Sequence, residues 1–276
     1  MKLFRWGGRS ESGPMAGTPF ARTSVLYRAG RYAEMEAEAR SVAVGPFRAR
    51  DKAFGPLALG IAVVAVSAQG RYADALTMYD ELLPVFVNAF GAEHIHTLKL
   101  RADRAQVLGG LGRYGECEAE CAAVAHLADH NVGPDAPFVA TLAREGQIHA
   151  LNALGRHPEA EALARRTLAA HRESDRLRLV LRLSLADSLS GQDRHTEALA
   201  EVQRADVLHH NLPPEQRRPE TGSIELAAAA ALFGLGRGAE ARLRASAAYD
   251  ACLAVRGPDH LRTAKIKALL DRIDVA

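Results

Sequence analysis

Two cysteines and two histidines lie within one short stretch, and all four are residue types that can bind zinc. Cys117 and Cys121 are four residues apart, and His126 and His130 follow them. A zinc site needs ligands that converge on one point. If the stretch is helical, each histidine lies nine residues after a cysteine, on the opposite face of that helix. We therefore predict that the cysteines pack in the interior, and that the chain holds neither a metal nor a cofactor.

The segment from Gly110 to Gly115 matches the G-x-G-x-x-G pattern of dinucleotide-binding loops. That pattern binds a pyrophosphate only where it follows a β-strand and begins a helix. Here it follows a helical pattern, and similar turns recur along the chain. The sequence contains no H-E-x-x-H motif, no phosphate-binding loop and no nucleophile–base pair at a recognisable spacing. We predict a protein that is not an enzyme, although a site built from distant residues would escape such a scan.

The eleven histidines suggest catalysis, but several have structural positions. His94 and His260 each precede a predicted helix. His209 and His210 fall at the end of another, where a positive charge suits the helix dipole. The histidine content alone therefore predicts no catalytic site.

The composition is that of a folded protein with little net charge. Of 276 residues, 48% are hydrophobic and 25% are charged, with a net charge of +2, which argues against disorder and against a basic nucleic-acid-binding surface. Three cysteines predict no disulfide framework. Residues 1–20 lack the apolar segment of a signal peptide, and the most apolar stretch, 57–68, is too short to cross a membrane. We expect a cytoplasmic protein, bacterial in view of its arginine-rich composition, with no nucleic-acid or membrane partner.

One short phrase recurs six times and organises the chain. Each copy has a glycine, or once an aspartate, followed by an arginine, at intervals of 38 to 43 residues. An acidic residue stands four positions after the glycine, and an aliphatic residue four positions before it. The turn positions are Gly30, Gly70, Gly112, Gly155, Asp193 and Gly236. Because glycine readily adopts the left-handed conformation that ends a helix, and an acid suits the first turn of the next, the phrase predicts a tight turn between two helices.

The side chains five residues after each turn position are small or slim, and those nine residues after it are Ala39, Tyr79, Cys121, Ala164, Val202 and Ala245. These two offsets are four residues apart, so they share one face of the second helix. Small residues on such a face allow neighbouring helices to pack closely. Cys117 and Cys121 occupy these two offsets in the third copy, which supports their assignment to the interior.

The repeat resembles the tetratricopeptide repeat, in particular its long, about 42-residue form found in kinesin light chains and many bacterial proteins. Two Gly…His…Thr phrases, at 91–97 and 257–263, support the long form, and each begins a first helix. A partial copy at 133–135 lacks the histidine. The resemblance implies an all-α, right-handed solenoid of about six antiparallel helix pairs with a C-terminal capping helix. It would form a single domain over residues 18–275, after a flexible tail at 1–17.

The turns divide the chain into predicted helices. First helices are predicted at 18–29, 54–69, 94–111, 136–154, 175–191 and 222–235. Second helices are predicted at 32–44, 72–88, 114–130, 157–172, 195–210 and 238–255, and the capping helix at 258–273. The proline-rich connection over 210–222 is predicted as a loop.

Polar residues recur on three consecutive first helices, on the face that should not be core. We call this set the polar strip. Its members are Lys99, Asp103, Gln106, Glu145, His149, Asn152 and Asp187. The resemblance implies that first helices line a concave groove, so we expect these side chains to be exposed and to bind a protein or peptide segment. A solvated face with no ligand is an equally good interpretation.

These observations favour a non-catalytic scaffold or adaptor that binds a protein segment in the groove. The alternative is an effector module that senses a ligand or peptide for a separate transcriptional regulator or signalling NTPase. An enzyme is a third hypothesis, for which the sequence offers no motif.

Overall fold

The structure, a computed structural model, describes residues 20–45, 53–171, 174–258 and 260–275. Within these ranges there are fourteen α-helices and no strand. The tail predicted at 1–17 lies outside the described residues. The chain divides into two compact units, residues 2–146 and 147–276, and the boundary falls inside helix α7. Whether residues 18–275 act as a single domain stays a prediction.

The helices alternate with short connections in both units. In the first unit they are α1 (Ala21–Ala29), α2 (Tyr32–Ala43), α3 (Phe54–Ala68), α4 (Tyr72–Phe90), α5 (Ile95–Gly110), α6 (Tyr114–Asp129) and the start of α7 (Ala136–Ala153). The second unit continues with α8 (His157–Ala170), α9 (Asp175–Ser190), α10 (His195–Asn211), α11 (Pro214–Arg217), α12 (Ser223–Gly234), α13 (Gly238–Arg256) and α14 (Leu261–Val275). None of the helices in the described ranges is long and apolar enough to span a membrane.

Every predicted helix is present, with ends within three residues of those predicted. The connection after α10 is the exception to the prediction. It is not an irregular loop but contains α11 and a 3₁₀ turn at Arg218–Glu220. Pro214 and Pro219 stand at the starts of these two elements, where proline's fixed φ favours a helical turn and its missing N–H is not needed.

All six repeated turns have the predicted left-handed residue. The turn glycines have φ between 70° and 80°, and Asp193, at 58°, has the only positive φ of a non-glycine residue in the described ranges. The next backbone N–H then donates to the carbonyl five residues earlier, over 2.9–3.3 Å, as Arg113 does to Leu108. This bond closes the end of each first helix. The residue that supplies the accepting carbonyl is aliphatic in each repeat because its side chain, at most 5% exposed, packs in the interior.

The repeated arginine also pairs with the repeated acid. In every turn the arginine Nε donates to the carboxylate three residues later, over 2.6–2.9 Å. At Arg156 this hydrogen bond lowers the pKa of Glu159. The pair holds the start of the second helix against the turn residue that precedes it. Since the sequence offered only the helix dipole as a reason for the acid, the arginine is the partner that pattern reasoning missed.

Two glutamates link successive repeats. Glu36 on α2 accepts hydrogen bonds from Gln69 Nε2 at 3.0 Å and from Arg71 Nη1 at 3.2 Å, both in the next turn. Glu161 on α8 accepts from Gln192 Nε2 at 2.9 Å and from the arginine of the following turn at 2.7 Å. The turns are therefore joined to the preceding helix pair by side-chain hydrogen bonds as well as by apolar packing.

The small-residue face of the second helices is buried as predicted. The residues five and nine positions after each turn are at most 3% exposed. At three turns the ring two residues after the turn residue packs against a glycine two positions before the next turn; these rings are Tyr72, His157 and His195. Tyr72 thus lies 3.1 Å from where a Cβ on Gly110 would stand, and the ring of His157 fills the place of a Cβ on Gly191. This contact requires a glycine or another small residue.

Cys117 and Cys121 are buried free thiols, as their positions in the repeat predicted. The sulfur of Cys121 lies 2.8 Å from where a Cβ on Gly146 would stand, so α7 approaches α6 closely at this glycine. The Cys117 thiol is within 3.9 Å of the Gly146 carbonyl oxygen. The pKa of Cys121 is raised by the Cys117 hydrogen bond and by burial, which disfavours the thiolate.

The connection that contains α11 is held by a buried carboxylate. Glu220 accepts from Arg176 Nη2 at 2.5 Å and lies 3.7 Å from Arg262 Nη2. Burial alone would raise the pKa of Glu220, but the charges of the surrounding arginines bring it below its usual value. Arg262 Nη1 also donates to the carbonyls of Pro219 and Thr221, both at 3.0 Å. This network fixes the connection against the start of α14.

The turn geometry predicts opposite outcomes for two substitutions. Gly112→Val forces a β-branched residue to φ 77° and should lower the free energy of unfolding by about 1–2 kcal/mol. Asp193→Gly should leave it unchanged or raise it by up to about 1 kcal/mol, because the Asp193 side chain is 97% exposed and glycine relieves the strain. Urea unfolding measures both. A clear loss in Asp193→Gly would show that the carboxylate has a role beyond the turn.

The approach of α7 to Cys121 predicts a coupled pair of substitutions. Gly146→Ala alone should destabilise the protein by about 1–3 kcal/mol, because the new methyl group overlaps the sulfur. In the Cys121→Ala background, Gly146→Ala should change the free energy of unfolding little or raise it, since the sulfur is gone and alanine favours a helix. Gly115→Ala, where no atom lies within 4 Å, is the control and should act alike in both backgrounds. Equal costs of Gly146→Ala in the two backgrounds would contradict the contact.

Candidate functional site

The polar strip divides between the two units. Lys99, Asp103 and Gln106 lie on α5, and Glu145 lies on α7 just before the boundary. The second unit holds His149, Asn152 and Asp187, on the end of α7 and on α9. Each group has its own surroundings.

Lys99 and Asp103 are buried, not exposed. They are 5% and 6% exposed, and the ammonium and carboxylate form an ion pair one helical turn apart. Burial raises the pKa of the Tyr79 phenol, and the nearby negative charge of Asp103 raises it further. Burial also raises the pKa of Asp103 itself. The expectation that these two side chains face water is wrong, because each neutralises the other and the pair can therefore leave solvent.

Gln106 and Glu145 are half-buried on facing helices. The Gln106 Cγ lies 3.8 Å from where a Cβ on Gly146 would stand, so this side chain lies against α7. Glu145 is near the two thiols, whose pKa values its charge tends to raise. Both residues border the contact between α5, α6 and α7, and both keep partial access to solvent.

Asn152 is a structural link in the second unit. It is 6% exposed, and its Nδ2 donates to the Ser184 carbonyl on α9 over 2.9 Å. Its Oδ1 lies 3.3 Å from His157 Nδ1. The predicted exposure is wrong here too, because the amide satisfies a backbone carbonyl of the next first helix.

His149, Asp187 and Lys265 form the candidate site. Asp187 on α9 and Lys265 on α14 are exposed, and His149 on α7 is half-buried. The pKa of His149 is lowered to about 4, by burial and then by the charge of Lys265, so its ring is neutral at pH 7. Burial raises the pKa of Asp187, although Lys265 and His157 act in the opposite direction. Asp187 and Lys265 are therefore near enough for their charges to interact, while both side chains keep access to solvent.

Lys265 is a site residue that sequence reasoning missed. Its helix was assigned to capping the array, and its lysines and arginines to a solvated surface. Burial lowers the pKa of Lys265 while the charge of Asp187 raises it, which places the ammonium near the carboxylate. A repeat period could not reveal this contact, because α14 has no second helix and falls outside the pattern. We keep the name candidate site for His149, Asp187 and Lys265.

The residues that suggested other chemistry have structural roles. The Gly110–Gly115 segment is the turn between α5 and α6, and it follows a helix rather than a strand. His94 precedes α5, and its Nδ1 accepts the His96 N–H at 3.2 Å. His260 does the same for the Arg262 N–H at 3.1 Å, before α14. The two Gly…His…Thr phrases thus begin helices, as predicted.

Comparison with known proteins agrees with this architecture. Residues 61–96, which span the end of α3, the second turn and α4, match the tetratricopeptide repeat family. The chain contains tetratricopeptide repeats. No curated protein matches it. The predicted family resemblance is confirmed.

Solved structures show the same tetratricopeptide fold. A Podosopora anserina protein described as a kinesin light chain with nearly identical TPR-like repeats is 15% identical, with a TM-score of 0.52 over 73% of this chain and 98% of that one. A point variant of it gives a TM-score of 0.53 over 74% and 98%, also at 15% identity. The TPR2AB domain of yeast Sti1 in complex with pHSP90 is 14% identical, with a TM-score of 0.35 over 95% of this chain and 100% of that one. The predicted all-α class of tandem helix pairs is confirmed.

The buried pair on the third tetratricopeptide repeat predicts a non-additive effect. Lys99→Met should lower the free energy of unfolding by about 3–5 kcal/mol, because it leaves the Asp103 carboxylate buried without a counter-charge. The double variant Lys99→Met/Asp103→Leu should lower the free energy of unfolding far less, or not at all. Urea unfolding of both variants measures the difference. Equal losses would show that the two charges are not coupled in the folded protein.

Proposed function

We propose that this protein is a non-catalytic scaffold that binds a segment of another protein, and that the candidate site contacts that segment. The support comes from Asp187 and Lys265, two exposed side chains of opposite charge on α9 and α14 whose charges act on each other. A partner's N–H or ammonium group can bind the carboxylate, and a partner's carbonyl or carboxylate can bind the ammonium.

The chemistry of the candidate site suits a polypeptide. It presents one acidic group, one basic group and one neutral imidazole, on α9, α14 and α7. Such a mixture can donate hydrogen bonds to carbonyls and accept them from N–H groups. A nucleic acid would require several basic residues on one face. The proposal includes the cytoplasm as the location, because all three cysteines are free thiols.

Gln106 and Glu145 stay predicted contacts on the first unit, since both keep partial access to solvent. Lys99, Asp103 and Asn152 were proposed as contacts in the same strip. Their burial gives them an additional role in stability, so substituting them would not test binding cleanly. The candidate site is the better place for such a test.

The experiment compares two double variants that each remove one acidic and one basic side chain, the first on α9 and α14 and the second on α14 alone. Affinity purification from the native organism identifies a partner, and calorimetry then measures its binding to the purified protein. Asp187→Ala/Lys265→Ala should weaken binding at least about tenfold, corresponding to about 1.4 kcal/mol or more. Lys267→Ala/Asp271→Ala removes an exposed ion pair on α14 and should leave affinity unchanged.

Stability should be similar in both double variants, because the substituted side chains are exposed. If both bind the partner as the unaltered protein does, the candidate site is not the binding surface. If both weaken binding equally, the effect comes from α14 as a whole and not from the candidate site.

A further inference from the structure

The last turns of α10 bring three metal-ligating side chains to one face. Asp206, His209 and His210 stand at positions i, i+3 and i+4, which are neighbours on a helix surface. One donor atom from each, a carboxylate oxygen and two ring nitrogens, lies within 4.8 Å of the others. The His210 Nδ1 lies 3.2 Å from Asp206 Oδ1 and 2.9 Å from the Asp206 carbonyl oxygen, so metal binding through this nitrogen would replace the contact with the carbonyl. Within the described residues, this is the one His/Cys/Asp/Glu group with such convergence.

Two further features of this helix end favour a cation. His209 Nε2 is shielded from solvent and has no hydrogen-bond partner, which is uncommon for a buried polar atom. The group also lies at the C-terminal end of α10, which ends at Asn211, so the negative end of the helix dipole faces the same region. Both features would be satisfied by a positive ion next to the two imidazoles.

We propose that Asp206, His209 and His210 bind a divalent transition metal ion. Two imidazoles and one carboxylate form a donor set suited to Zn²⁺, Ni²⁺ or Co²⁺, whereas Ca²⁺ and Mg²⁺ prefer oxygen ligands. Ligand distances of about 2.0–2.2 Å require the three donors to close from their present separation. Rotation of the exposed His210 and the half-exposed Asp206 can supply that movement. Three protein ligands leave a coordination position for water or for a donor from a bound protein.

This proposal departs from the prediction that the chain holds no metal. That prediction was drawn from the cysteine-containing helix, and it assigned His209 and His210 only to the helix dipole. Asp206 completes the set. The predicted helix at 195–210 already contained all three residues, but the convergence of their donor atoms is visible only in the structure.

The chain contains a natural control for the proposal. His126, Asp129 and His130, at the end of α6, have the same composition at the same spacing, with the aspartate in the second position instead of the first. There the Asp129 carboxylate pairs with the guanidinium of Arg144. The two sets are therefore matched in composition and spacing, and they differ in residue order and in the convergence of the donors.

The test is zinc binding by the full chain, measured by calorimetry and by competition with a chromophoric chelator. The unaltered protein should bind one Zn²⁺. His209→Ala, His210→Ala and Asp206→Asn should each weaken binding at least about tenfold. His126→Ala/His130→Ala should bind as the unaltered protein does. Circular dichroism checks that each variant is folded, and His210→Ala keeps the test available if His209→Ala is unstable, because His210 is exposed.

Cobalt provides an independent readout. Co²⁺ bound through imidazole and carboxylate should give a visible absorption spectrum that is lost in His210→Ala and lacks the intense sulfur charge-transfer band of a thiolate site. Absence of zinc binding by the unaltered protein would overturn the proposal. It would also be overturned by binding that survives in all three site variants, or by an equal loss in the His126/His130 control.

Discussion

The left-handed residue between paired helices is the constraint on which the rest of the structure depends. Only at that residue can the chain reverse so tightly that the following N–H reaches the carbonyl five residues earlier. The reversal places the repeated arginine beside the repeated acid and sets the register of the second helix. Five copies use glycine, and Asp193 accepts the same φ with its side chain in solvent. The small-residue faces and the aromatic-to-glycine contacts follow from this register.

The sequence predicted the helices well because their determinants are local. A turn residue, an aliphatic residue before it and an acid after it lie within nine residues, so the period reveals them directly. The connection after α10 was missed for the opposite reason. Its conformation depends on Glu220 reaching arginines on α9 and α14, and those residues are distant in sequence.

The polar strip shows where pattern reasoning is incomplete. Periodicity identifies the helix face on which Lys99, Asp103 and Asn152 lie, but not whether another element covers that face. Lys99 and Asp103 are buried because each is the other's counter-ion, and Asn152 because a backbone carbonyl accepts its amide hydrogen. Asp187 keeps its access to solvent, and the helix that contributes its positive neighbour, Lys265, has no place in the repeat. The polar residues on this face therefore indicated where a binding surface could lie. They did not show which side chains are buried in ion pairs or hydrogen bonds and which are accessible to a partner.

The bidentate contact between arginine and acid has a consequence for how the chain folds. Each such contact, together with the hydrogen bond that ends the first helix, is complete within a short segment and needs no other repeat. Helix hairpins of this kind can nucleate independently and then recruit their neighbours, because little loop entropy is lost before the first contacts form. A chain with six equivalent nuclei has several parallel routes to the native state. A defect in one turn would then redirect folding through the others and lower the stability of its own repeat most.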